Sequence, residues 1–214
     1  MIDKLMTSYQ KIRKGLIGTF ADIENISYIE TSFYDLGYMQ SQIKHIQKEL
    51  KIIEDSLTNT IKNESDTDEI NQYRNNLMKN REMLIFHMLF LMSNSFANLD
   101  NCRKLAKGHE FKFISCVDGL DAYHKGDKKT AFELLENYFG EYGKVEEHFL
   151  VNKVFGLLLS EAGRDEKAIP FLSYVLTFVP DDLECLNALS ACYKATGQAN
   201  RKRVIDNICE ILGA

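Results

Sequence analysis

Five histidines, five cysteines and the aspartate pair Asp181–Asp182 are the side chains on which chemistry could be built. His45, His87, His109, His124 and His148 form no HExxH pattern, and the adjacent Glu147 and His148 diverge on a helix, so no zinc or di-iron site is expected. Cys102, Cys116, Cys185, Cys192 and Cys209 are odd in number and contain no CxxC pair. Cys185 and Cys192 share a helix face, but about two turns separate them, beyond disulfide reach. Buried packing in a reduced, cytoplasmic compartment is the expectation. Asp181–Asp182 falls in a turn between helical patterns, where acidic residues favour the start of the next helix. There is no Walker phosphate loop, GxGxxG or GxSxG. The chain is expected not to be an enzyme and to need no cofactor.

Charge excludes a second class of function. Residues 1–110 carry 14 Lys+Arg against 15 Asp+Glu, and residues 111–214 carry 12 against 16, for a net −5. Neither half has the basic excess that phosphate neutralisation requires, and the one basic cluster, Arg201–Arg203, reads as a solvated helix end. No nucleic-acid partner is expected. Met83–Met92 is apolar, but a spanning helix needs about 20 such residues, and this run contains His87 and stops at Ser93. No membrane span is expected. Met1–Lys14 alternates charge with apolar residues, unlike a signal peptide.

With only two prolines, Pro170 and Pro180, the chain suits long helices. Leu5, Tyr9, Ile12, Leu16, Phe20 and Ile23 give a first helix over 2–23. Ile26, Ile29, Phe33 and Leu36 form one heptad seam, and Met39, Ile43, Ile46, Leu50, Ile53 and Leu57 form another, out of phase with it at Gly37. A long helix kinked near Gly37 is expected. The polar stretch Thr58–Glu69 reads as a hairpin tip, with Asp66 or Asp68 capping a helix that runs to about Asn98. The second half of that helix is apolar on all sides and is expected to be buried on all sides.

Beyond Lys112 the pattern changes to a repeat. Gly126, Gly163 and Gly197 recur at spacings of 37 and 34. Phe155-Gly156, Leu159, Gly163, Ala168, Leu172, Val175 and Pro180 make the most regular unit. The unit before it holds Gly119, Ala122-Tyr123, Gly126, Ala131, Leu135 and Tyr138, with extra residues near Gly143–Glu147. The unit after it holds Leu189-Ser190, Tyr193 and Gly197, but has Lys202 where a small residue is expected. Asp165 is the expected cap of the helix that carries Pro170. This half resembles the tetratricopeptide repeat family, and is more distantly similar to the type III secretion translocator chaperones of bacteria.

The fold expected is all-α. A helical bundle or coiled-coil hairpin over 1–108 precedes a tetratricopeptide-type solenoid of about two and a half to three units over 109–214. The resemblance implies a concave groove lined by the first helix of each unit, and a partner peptide or helix lying in it. The binding residues implied are Phe113, Leu120, Tyr123, His124, Leu150, Lys153, Leu157, Glu161, Asn187 and Lys194. An adaptor or chaperone is the leading expectation. The alternative is a structural protein that self-assembles as a homo-oligomer through the seam of residues 26–57.

Overall fold

The computed structural model describes residues 36–62, 67–143 and 148–212. The expected helix over 2–23, the first part of the heptad seam (26–35) and the extra residues at 144–147 lie outside the described residues. All regular structure described is helical, in nine α-helices and one 3₁₀ turn.

Helices α1 (Leu36–Lys62) and α2 (Asp68–Met92) form an antiparallel hairpin. The seam of threes and fours places Ile43, Ile46, Leu50 and Ile53 on one stripe of α1. Ile46 packs against Met88 and Leu91, and Ile43, Leu50, Leu84 and Leu105 surround them. Ile46 and Ile53 are buried. Lower in the hairpin, Arg81 lies 3.7 Å from Glu54, and Arg74 Nη2 donates to the Thr60 carbonyl. Gly37 stands in the first turn of α1.

Two boundaries of α2 and the burial of its second half differ from expectation. The cap of α2 is Thr67, whose hydroxyl accepts the Ile70 N–H; Asp68 is already helical, and with Glu69 it places negative charge at the positive end of the helix. The helix stops at Met92 rather than Asn98. Ser93 Oγ and Asn94 Nδ2 both donate to the Phe90 carbonyl, a local alternative to continued helix, and a 3₁₀ turn at Phe96–Asn98 follows. The second half of α2 is not buried all round: Ile85, Met88, Leu89 and Leu91 are buried, whereas Met83, Phe86 and His87 are exposed among the described residues.

Helix α3 (Leu99–Ala106) leads into three helical hairpins: α4 (Ile114–His124) with α5 (Lys128–Tyr142), α6 (Phe149–Glu161) with α7 (Asp165–Phe178), and α8 (Leu183–Ala195) with α9 (Ala199–Leu212). The turn is the same in all three. Gly126, Gly163 and Gly197 have φ of 84°, 68° and 73°, a left-handed conformation that costs glycine nothing. Across each turn the next residue's N–H closes onto the helix: Asp127 to Ala122 O, Arg164 to Leu159 O, Gln198 to Tyr193 O.

Within each hairpin the crossing is tight. A Cβ on Gly119 would sit 2.9 Å from Leu135 Cγ, and one on Gly156 would sit 3.0 Å from Leu172 Cδ2. At the equivalent place in the third hairpin, Ser190 donates to Asp206 at 2.6 Å, so a polar pair replaces the glycine–leucine contact. Lys202 bonds the same Asp206, which explains why this position is not a small residue here. The cap of α7 is Arg164, whose side chain bonds Glu136 rather than capping the helix, and Asp165 is the first helical residue. Pro170 therefore falls in the second turn, and α7 runs on to Phe178 past it. One core cluster extends from Leu89 through all three hairpins to Ile208.

Candidate partner-binding surface

The first helices of the three hairpins, α4, α6 and α8, stack side by side. Cys192 Sγ on α8 lies 3.3 Å from Ser160 Oγ on α6. Lys153 on α6 reaches Asp182 at 2.7 Å, ahead of α8, and Glu184 on α8 at 2.9 Å. Lys128 at the start of α5 binds Glu161 at the end of α6 at 2.7 Å. The sequence-expected residues project from equivalent positions on these three helices.

At three of these positions exposure is greatest in the third hairpin. Phe113 is 2% exposed and its equivalent Leu150 is 6% exposed. In the third hairpin the same position is Glu184, whose side chain is 57% exposed. Cys116 is buried, Lys153 is half-buried and Asn187 is exposed; Leu120 and Leu157 are buried and Ala191 is exposed. Tyr123 is half-buried, and His124, Glu161 and Lys194 are exposed. At the apolar positions the surface is closed at the first two hairpins and open at the third, while the helix ends, at His124, Glu161 and Lys194, are exposed in all three.

Phe113, Leu120, Leu150 and Leu157 are consequently core residues rather than exposed anchors. The rings of Phe90 and His148 lie 5.3 Å from the Phe113 ring, and those of Tyr138 and Phe86 lie 6.0 and 6.1 Å away. Leu120 shares its cluster with Leu99, Cys102 and Ala106, brought in by α3. Arg103 clamps that helix down, 2.8 Å from both Asp118 and Asp121 of α4. The Arg103 guanidinium in turn holds the Asp121 carboxyl below its ordinary range. The apolar pattern of α4 and α6 fits either partner anchors or a cover from the N-terminal helices, and at Phe113 and Leu120 the cover comes from the chain's own α2–α3 region.

Sequence reasoning missed the residues that make this seam. His148 is wholly buried, and its Nδ1 accepts the Val151 N–H at the start of α6. That bond leaves the proton on Nε2, which donates to Ser93 Oγ at 2.9 Å, while Ser93 donates to the Phe90 carbonyl. Burial lowers the imidazole's pKa to about 3, so it stays neutral. A serine and a histidine in contact invite a nucleophilic reading. Both are fully buried, and the serine proton is committed to a carbonyl, so the pair works as a latch. Next to it Asn94 Oδ1 accepts the Leu150 N–H at 3.3 Å, and Phe96 stacks on Tyr123 and His124 at 6.3 and 4.9 Å.

Lys153 is 18% exposed. Burial disfavours its charge, but the bonds to Asp182 and Glu184 outweigh that and raise its pKa. Burial raises the Tyr123 hydroxyl, and the negative charges of Glu184 and Glu161 raise it further. Of the five free cysteines, Cys209 alone is not buried. Burial pushes the Cys102 and Cys192 thiols up to about 11, and those of Cys116 and Cys185 further, which removes the thiolate that reactivity needs. Among the described residues no cluster of His, Cys, Asp and Glu is arranged to hold a metal ion, and no helix is long and apolar enough to cross a membrane. Comparison of the chain with protein-family models, with curated proteins and with solved structures finds no match in any of the three.

Proposed function

We propose that the chain is a tetratricopeptide-type binding module that holds a segment of another protein against α6 and α8. The observation that carries this reading is the exposure of Glu184, Asn187 and Ala191 on α8 at positions whose equivalents Phe113, Leu150, Leu120 and Leu157 are buried. Stacked repeat units form one continuous surface, and a partner engages the part left open. That part is polar and of both signs. Asn187 offers amide bonds to a peptide backbone, Lys194 and Glu161 offer charge, and Ala191 leaves room for a side chain between them.

This surface suits an extended peptide or helix bound by hydrogen bonds and charge, with few apolar anchors. The experiment is capture of the partner from the native cell with the full chain, followed by titration with the Asn187→Ala/Lys194→Glu double variant. Both residues are exposed, so the fold should tolerate the changes. Binding weakened by about 1–3 kcal/mol at unchanged helical content supports the reading. Equal affinity of parent and variant moves the binding surface elsewhere. Self-assembly through α1 is the weaker reading, because Ile46 packs against Met88 and Leu91 of α2 within the chain.

A further inference from the structure

We propose that the cleft between residues 109–115 and the outer side of α5 is a second docking site, and that its occupant is a helix of a partner protein with an apolar stripe and basic residues beside it. The cleft is separate from the surface of α6 and α8, and the inference goes beyond the binding function proposed above.

The first observation is the cleft itself. Its volume is about 630 Å³, and Phe111 and Ile114 line it together with Leu134, Tyr138 and Tyr142 of α5. The three α5 residues recur every four positions, so they form one stripe about 12 Å long, or two helical turns. Beyond the cleft, the Phe111 ring lies 5.5 Å from that of Phe86 on α2, and Met83 stands one turn before Phe86. Met83, Phe86 and Tyr142 are 63%, 37% and 44% exposed. Exposed apolar groups gathered around a concavity mark a place where another molecule packs.

The second is what happens at the same place in the later hairpins. Counted from each turn glycine, Leu134 corresponds to Phe171 on α7 and Ile205 on α9, Asn137 to Tyr174 and Ile208, and Glu141 to Phe178 and Leu212. On α7 this side meets the preceding hairpin, with the Phe171 ring 5.0 Å from that of Phe139 on α5. On α9, Ile205 and Ile208 are buried. On α5 the same side opens on the cleft: Leu134 is half-buried, and Asn137 and Glu141 are exposed. A side that takes a helix in the second hairpin is thus left open in the first, which points to a helix as the occupant.

The third is charge. Glu141 stands where Phe178 and Leu212 are apolar, and Glu110 lines the same cleft. Both are exposed, and neither pairs with a cation among the described residues. His109 is bonded to Glu82, which leaves Lys112 as the lining ammonium against two carboxylates. That balance favours a cationic visitor, and the rings of Phe111, Tyr138 and Tyr142 favour it again, because a guanidinium or ammonium is attracted to an aromatic face. The occupant carries apolar residues three or four apart, for the α5 stripe, and an arginine or lysine beside them, for Glu141.

The test places p-benzoylphenylalanine at position 142 of the full chain, where the native Tyr142 is exposed. Photo-crosslinking in the native cell is followed by mass spectrometry of the attached segment. The expected product is a segment of another protein with that pattern. A synthetic peptide of the segment, titrated by anisotropy, should bind the parent and lose at least ten-fold in affinity on Glu141→Lys and again on Leu134→Asp. If Leu134→Asp loses its helical signal, Tyr142→Ser replaces it at an exposed position. Attachment only to residues 1–35 of the same chain, only to a second copy, or to nothing overturns the proposal, as does peptide binding that ignores Glu141. The Asn187→Ala/Lys194→Glu variant separates the two surfaces: it should bind this peptide as the parent does, and a peptide that responds to it and not to Glu141→Lys belongs to α8 and discards the second site.

Discussion

At the scale of single residues, His148 is the group with the most consequence for solution behaviour. Its folded pKa is near 3 against an ordinary 6.5. Below pH 6.5 the unfolded chain binds a proton that the folded chain refuses, so this contribution is complete above that value and is lost as the pH falls toward 3. Between pH 7 and pH 5 the loss is about 2 kcal/mol. Urea midpoints measured at those two pH values check it. His148→Asn keeps an N-cap oxygen for the Val151 N–H and removes the titration, so its midpoint should stay flat over the same interval. An equally steep fall in the variant assigns the acid sensitivity to other groups. The depressed carboxylates Asp121, Asp127 and Asp206 act only at lower pH, because their folded pKa values lie below the ordinary 3.8.

At the scale of elements, two kinds of glycine hold the hairpins, and substitution separates them. Gly156 is needed for space: its Cβ would meet Leu172 and Phe171 atoms at 3.0–3.1 Å. Gly163 is needed for conformation: its φ is 68° and nothing lies within 4 Å of its Cβ position. Gly156→Leu should cost about 1–3 kcal/mol or more by overpacking the α6–α7 crossing. Gly163→Ala should cost about 1–2 kcal/mol from the backbone alone, with the packing unchanged. Thermal melts of the two variants read both costs. An unchanged melting temperature in Gly156→Leu means that α6 and α7 do not cross at that residue.

At the scale of the whole molecule, α2 joins two clusters: Leu89 belongs to the core of the three later hairpins, while Met88 and Leu91 pack with Ile46 of α1 in a smaller one. Ile46, 3% exposed between Met88 and Leu91, tests this. Ile46→Ala should destabilise the chain by about 2–4 kcal/mol through the cavity it leaves. The midpoint shift should be the same at two chain concentrations ten-fold apart, because the contact lies within one chain. A shift that depends on concentration means that the seam also pairs between copies.

The repeated glycines, the alternation of small and large residues at the crossings and the seam of threes and fours were legible in the sequence, because each reflects a local rule. A left-handed turn selects glycine wherever it occurs, and a helix face that meets another helix must be apolar at fixed spacing. The all-α class and the three hairpins follow from those rules. The proposed binding surface was legible only in part. Of the residues read as its lining, His124, Glu161, Asn187 and Lys194 are exposed, whereas Phe113, Leu120, Leu150 and Leu157 are buried. Periodicity reports that a side chain is apolar; it does not report whether solvent, a partner or the same chain covers it. The tertiary structure decided that question, through contacts between residues far apart in the sequence: Ser93 with His148, Asn94 with Leu150, Phe96 with His124 and Arg103 with Asp118. Each of these joins polar or aromatic groups whose spacing along the chain follows no period, and for that reason the sequence alone could not bring them together.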